Sequence, residues 1–200
     1  MAGSNPGTAS WDDVFGDLDV RTLDHDQRLD LINDRIVAAL EGKTWAAKSA
    51  GEEGELAWDA AIRTFLDGIW VACIFSCHVV CEREVAGVIS NSVSRIGGEV
   101  PKNWETFGLG KLLDETTKHD LLPRWLIDDI RQVANARKPY GHWRSAIHEE
   151  SMMQRVRAES ERTGNLSRSN LAERLIVRDA THAMLTTIRL YFGSYGLGGP

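Results

Sequence analysis

Apolar residues recur at helical spacing through most of the chain, and no stretch alternates as a half-buried strand does. Leu29, Ile32, Ile36, Val37 and Leu40 mark one face of a first helix over about 24–40, which Gly42 stops. Residues 42–55, punctuated by Gly42, Gly51 and Gly54, read as a loop or a short helical piece. The spacing predicts a second and longest helix over about 56–91. Its centre is apolar on nearly every face, and such a helix belongs in the middle of a bundle.

Residues 92–105, with Gly97-Gly98 and Pro101, form a connector. Thr106 is suited to cap a short helix to about His119 that carries Phe107, Leu109, Leu112 and Leu113. Asp120 and Pro123 are rival starts for the next helix. That helix holds Trp125, Leu126, Ile130 and Val133 and is expected to end or bend near Arg137, because Pro139 lacks an N–H and disfavours the α region at Lys138. Ser145 to Arg162 is helical in pattern but strongly polar, and residues 164–169 form a loop. Asn170 caps a final helix over 171–192, with Leu171, Leu175, Ile176, Ala180, Met184, Leu185, Ile188 and Tyr191 on its apolar positions. The sum is an all-α fold, a bundle of four to five main helices.

Domain boundaries follow from the same pattern. Residues 1–23 form an acidic arm, 24–192 a single helical domain and 193–200 a Gly-rich tail. The 200 residues and their 42% hydrophobic content suffice for one real core. The longest apolar run, Gly68 to Cys81, is 14 residues, short for a membrane span, and no signal segment opens the chain. A cytoplasmic protein with no membrane association is the expectation.

Charge is distributed unevenly. Residues 1–41 hold nine acids and three bases, which accounts for the net −6 of the whole chain. Residues 131–180 hold ten Lys and Arg against six Asp and Glu. A locally basic half permits binding of a polyanion, and a solvated helix surface carries the same charges. The acidic arm has two uses to offer: shielding a basic site in cis, or docking a partner.

Chemistry concentrates at Arg137-Lys138-Pro139-Tyr140-Gly141-His142. On an unbroken helix Arg137 and His142 would lie roughly 140° apart. A bend at Pro139 would bring a fixed cation and a titratable imidazole to one phosphate. The plain structural alternative is a turn in which His142 caps a helix end. Tyr140 and Trp143 flank the motif and are placed either to stack on a base or to pack in the core. Lys138 and Arg144 are further candidate phosphate contacts, or solvated surface charges. Glu82, after the apolar run, either orients Arg137 or is solvated, and solvation is the simpler expectation. His119, His148 and His182 read as surface or capping residues.

Cys73, Cys77 and Cys81 share one helical stripe, but Cys73 and Cys81 lie about 12 Å apart on an ideal helix, while a zinc–sulfur bond is about 2.3 Å. Buried structural thiols are the expectation, with no metal and no cofactor. No P-loop, dinucleotide motif, nucleophile elbow or zinc-protease motif is present.

Several features together resemble a known family. A long apolar helix carries Cys81-Glu82-Arg83-Glu84. A short Thr-Phe-Gly-Leu-Gly-Lys-Leu-Leu segment follows. Leu121-Leu122-Pro123 then opens a helix that runs into Ala136-Arg137-Lys138-Pro139-Tyr140-Gly141-His142-Trp143, and a last helix closes the bundle. This layout, over roughly residues 56–192, resembles the HEPN superfamily, the higher-eukaryote and prokaryote nucleotide-binding helical bundles. The resemblance implies an Arg, polar residue, three variable residues, His signature, in which Arg137 and His142 match the invariant ends. Lys138 stands where Asn, Asp or His is usual. It further implies a metal-independent endoribonuclease, a toxin or antiviral effector whose two motifs meet in a homodimer, with RNA as substrate and an antitoxin or regulatory protein as partner. The alternative the family also contains is an inactive interaction or nucleotide-binding module.

Overall fold

A computed structural model describes residues 19–42, 51–92, 102–141, 145, 147–164 and 167–193. Among the described residues there are seven α-helices and no strand: α1 (His25–Leu40), α2 (Gly51–Leu66), α3 (Trp70–Ser92), α4 (Leu109–Lys118), α5 (Arg124–Gly141), α6 (Met152–Thr163) and α7 (Arg168–Phe192). Two 3-10 turns, Val20–Thr22 and Trp104–Thr106, precede α1 and α4. The fold is all-α, with more helices than the four or five main ones expected. Most of the acidic arm, the Gly97-Gly98 connector and the last seven residues of the Gly-rich tail lie outside the described residues.

Helix α3 is the axis. Cys73, Ile74, Cys77, Val80, Cys81 and Val85 on it are fully buried. It packs against α2, α4, α5 and α7. Each fully buried Ile or Val side chain contributes about 1.5–3 kcal/mol, so this one helix anchors the core. Helix α7 is the second pillar, with Ala180, Ala183, Met184, Ile188 and Tyr191 buried. Where the two pillars meet, the Thr187 hydroxyl donates to the Ala183 carbonyl at 2.7 Å and lies 3.5 Å from Cys81 Sγ. The Tyr191 ring stacks on Trp58 of α2, with centroids 5.0 Å apart and planes 20° from parallel.

The single long helix expected over 56–91 is two helices, α2 and α3, folded back on one another. Gly68 sits at φ +72°. Its N–H donates to the Phe65 carbonyl at 3.2 Å, and the Ile69 N–H to the Thr64 carbonyl at 2.7 Å. These are the paired bonds of a Schellman cap, which satisfies carbonyls that a helix end leaves open. The apolar period runs on across this three-residue break through Ile69, which is why periodicity alone did not reveal it. Arg28 of α1 locks the turn: its guanidinium donates to the Leu66 carbonyl at 2.8 Å and lies 4.8 Å from the centre of the Trp70 ring.

Other boundaries shift for local reasons. Helix α1 starts where expected, with a capping box between Asp24 and Gln27. Thr106 does not cap α4. Its hydroxyl closes the preceding 3-10 turn on the Asn103 carbonyl at 2.8 Å, and α4 begins at Leu109 after Gly108. Asp120 adopts φ +51° and ends α4 rather than starting α5. The Pro123 carbonyl receives the first bonds of α5, from Leu126 and Ile127. Helix α6 begins at Met152, capped by Ser151, later than the polar pattern from Ser145 suggested. Helix α7 begins at Arg168; Asn170, expected as its cap, lies in its first turn and accepts from Arg21 at 3.0 Å.

Gly68→Ala should destabilise the protein by about 1–2 kcal/mol through the left-handed backbone alone. An added Cβ would also sit 3.2 Å from Arg28 Nη1. Gly164 has φ +68° with open space around it, so Gly164→Ala supplies the backbone cost without the crowding. Urea denaturation should rank Gly68→Ala as the more damaging. Equal losses would mean that Arg28 does not depend on the turn.

Candidate functional site

On α5, Leu126, Ile130 and Val133 form the stripe that faces the core. Arg137 is the next position on that stripe, four residues beyond Val133. An arginine thus takes a register that the three preceding turns give to apolar side chains. Its guanidinium carbon lies 5.9 Å from the centre of the Phe75 ring of α3, within cation–π range. Its Nε is buried with no hydrogen-bond partner among the described residues. A buried N–H left unmatched costs about 1–3 kcal/mol, and an incoming anion would recover it.

Helix α5 does not end near Arg137. It runs through Pro139 to Gly141. Packing holds this last turn against the preferences of Pro139 and Lys138: the Tyr140 hydroxyl reaches Asp179 of α7 at 3.4 Å, and Gly141 lies so close to Phe75 that a Cβ there would be 3.2 Å from Cζ. His142, Trp143 and Arg144 lie outside the described residues, so the pairing of Arg137 with His142 is not part of this geometry.

The other candidates on α5 are engaged by partners elsewhere in the bundle. The Lys138 ammonium pairs with Glu150 at 3.3 Å. Tyr140 is half-buried, and burial, then the charge of Asp179, pushes its phenol above the usual range. Asp179 is held in turn by Arg155 of α6 at 2.7 and 2.8 Å. Lys138 and Tyr140 therefore have partners within the protein, in place of the open positions that direct substrate contacts would take.

Two residues beside Arg137 were not among the site candidates read from the sequence. Phe75 and His78, one turn apart on α3, form the wall against which the end of α5 packs. The His78 imidazole is buried, and burial, then the Arg137 charge, holds it below its ordinary value of 6.5. A neutral imidazole near a fixed cation can accept a proton while the cation holds an anion. The one available signal was a histidine inside an otherwise apolar run. Glu82, one turn further, is half-buried, and its carboxylate accepts from the Leu109 N–H at 3.0 Å and caps α4.

The remaining sequence candidates are structural. Burial holds the His182 imidazole below 6.5, and its Nε2 lies 3.3 Å from the Asp129 carbonyl. His119 lies 3.7 Å from Glu115, and His148 accepts from the Glu150 N–H at 3.2 Å. Cys73, Cys77 and Cys81 are buried free thiols, and burial pushes Cys81 up to about 12. Among the described residues no group of three or more metal-ligating side chains converges, and no helix is long and apolar enough to cross a membrane.

The opposite face of α5 is built differently. Gln132, Asn135, Ala136 and Pro139 line a cleft of about 730 Å³ bounded by α6, α7 and the turn at Val20. The two faces of α5 thus divide into an arginine seam against α3 and a polar cleft against α6 and α7. Comparison with protein-family models, curated proteins and solved structures finds no match to this chain.

Depressed imidazole pKa values fix a sign for pH dependence. Below 6.5 the unfolded chain binds more protons at His78 and His182 than the folded one. Their contribution to stability is therefore present above 6.5 and lost as pH falls through the lower folded values. Urea midpoints should drop between about pH 7 and 5, and His182→Gln should flatten that drop. An unchanged slope in His182→Gln and His78→Gln alike would show that other groups set it.

Proposed function

We propose that this chain is a HEPN-like, metal-independent endoribonuclease that works as a homodimer in the cytoplasm, as a toxin or antiviral effector. The observation that carries this reading is Arg137, a guanidinium in a core register with its Nε unmatched among the described residues. Its planar fork suits two oxygens of one phosphate. In the step proposed, the ribose 2′-oxygen forms a bond to the adjacent phosphorus and the bond to the 5′-oxygen breaks, leaving a 2′,3′-cyclic phosphate. His142 takes the 2′-hydroxyl proton or protonates the leaving oxygen, and the second motif of a dimer supplies the other transfer. Arg137 stabilises the charge that builds on the phosphoryl oxygens.

The surface beside Arg137 favours pairing of two copies. Val71 and Val79 of α3 are 38% and 42% exposed and flank Phe75 on the same helical stripe. Burying that stripe between two copies would bring the two Arg137 seams together. A second reading has its own support. Lys138 and Tyr140 are committed to Glu150 and Asp179, which suits an inactive interaction or nucleotide-binding module equally well.

Cleavage of total and defined RNA in EDTA decides between them. The wild type should cleave, and His142→Ala and Arg137→Ala should each reduce the rate by about 10² or more. A folded wild type that leaves RNA intact would move the assignment to the second reading.

Light scattering on the purified chain should give a dimer, and Val79→Glu should give a monomer with weakened cleavage. A wild-type monomer at every concentration would remove the two-motif site.

A further inference from the structure

The cleft behind α5 carries charge that the protein only partly neutralises. Arg21 is engaged by Asp19 and Asn170, Arg155 by Asp179, and Arg162 by Glu159 at 2.6 Å. Arg174 and Arg178 also line the cleft, exposed and one turn apart on α7. Neither forms a close ion pair among the described residues, and both act through space on Glu159. Thr181 continues their stripe inward at helical spacing. It is 5% exposed, lines the cleft, and its hydroxyl is buried without a hydrogen-bond partner among the described residues.

Two uncommitted guanidiniums at the mouth and an orphaned hydroxyl at the base are the components of an anion site with depth. Successive turns place the Arg174 and Arg178 backbones about 6 Å apart, and their long side chains can close on one phosphate or span two. Leu175 and Val177 also line the cleft and give it apolar surface for an organic group. The volume, about 730 Å³, falls in the range of roughly 300–1,000 Å³ typical of small-ligand pockets. A polymer fits less well. Asp19, Glu150, Glu159 and Asp179 interrupt the lining, so it offers no continuous cationic track for a phosphodiester backbone.

We propose that this cleft binds a phosphorylated small molecule, its phosphate held by Arg174 and Arg178 and its organic part lying over Leu175 toward Thr181. The site is independent of RNA cleavage. Helix α5 turns Arg137 to α3, and Asn135 and Pro139 to the cleft, so the two assignments fail separately.

Isothermal titration of the full chain with pyrophosphate, adenosine 5′-diphosphate, adenosine and a single-stranded RNA oligonucleotide tests it. Binding of pyrophosphate or the diphosphate that weakens with salt supports the site. Tighter binding of the diphosphate than of pyrophosphate assigns the apolar surface to the organic group, and equal binding assigns the affinity to the phosphates alone. The exposed double variant Arg174→Gln/Arg178→Gln should melt as the wild type does and bind about tenfold or more weakly, while Arg137→Ala should bind normally. Thr181→Val should weaken only ligands that reach the base of the cleft. The proposal is overturned if neither phosphate probe binds at millimolar concentration, if adenosine binds as well as its diphosphate, if RNA alone binds, or if the folded double variant binds as well as wild type.

Discussion

The apolar centre of α3 has to be covered on most sides, and that constraint acts on everything around it. Four helices pack on α3, and three of its polar side chains have specific roles. Cys81 meets Thr187, Glu82 caps α4, and His78 stays neutral under burial. Covering α3 also fixes the register of α5. Once Leu126, Ile130 and Val133 dock on the core, the next position on that stripe, Arg137, has to arrive over Phe75. The guanidinium is where it is because the core beneath it is packed.

Helix α6 obeys different rules. Its mean hydropathy is low and its apolar contacts form a small separate cluster of Val156 with Leu171 and Leu175 of α7. Attachment of so polar a helix leans on directional bonds. Arg155 makes a two-pronged pair with Asp179, which is only 9% exposed, and Asp179 also accepts from Tyr140. Removing one member would leave a largely desolvated charge unmatched, which costs more than the intact pair contributes. This network ties α5, α6 and α7 together and forms one wall of the polar cleft.

The helices were legible in the sequence because burial imposes a 3.6-residue period, and α4 and α5 carry it plainly, while on α1 only Ile32 of the expected face is buried. What the period could not convey was punctuation. A Schellman turn at Gly68 breaks the chain without breaking the apolar pattern, and Pro139 sits inside a helix because contacts of Tyr140 and Gly141 outweigh its local preference. The candidate site divides along the same line. Arg137 stood out by sequence and occupies a position that calls for explanation. Lys138 and Tyr140 looked equally available, but their partners, Glu150 and Asp179, come from distant segments that no local motif reveals. His78 was hidden for the converse reason: it stands within an apolar run, and only the approach of α5 brings the Arg137 charge to it.

The three cysteines of α3 carry one more consequence. All three thiols are buried on the central helix, and burial raises Cys77 and Cys81 well above the usual thiol range. The reactive thiolate is therefore suppressed while the bundle is closed. Alkylating reagents must wait for α3 to leave its neighbours, so the speed of labelling at these sulfurs is a built-in clock for opening of the core.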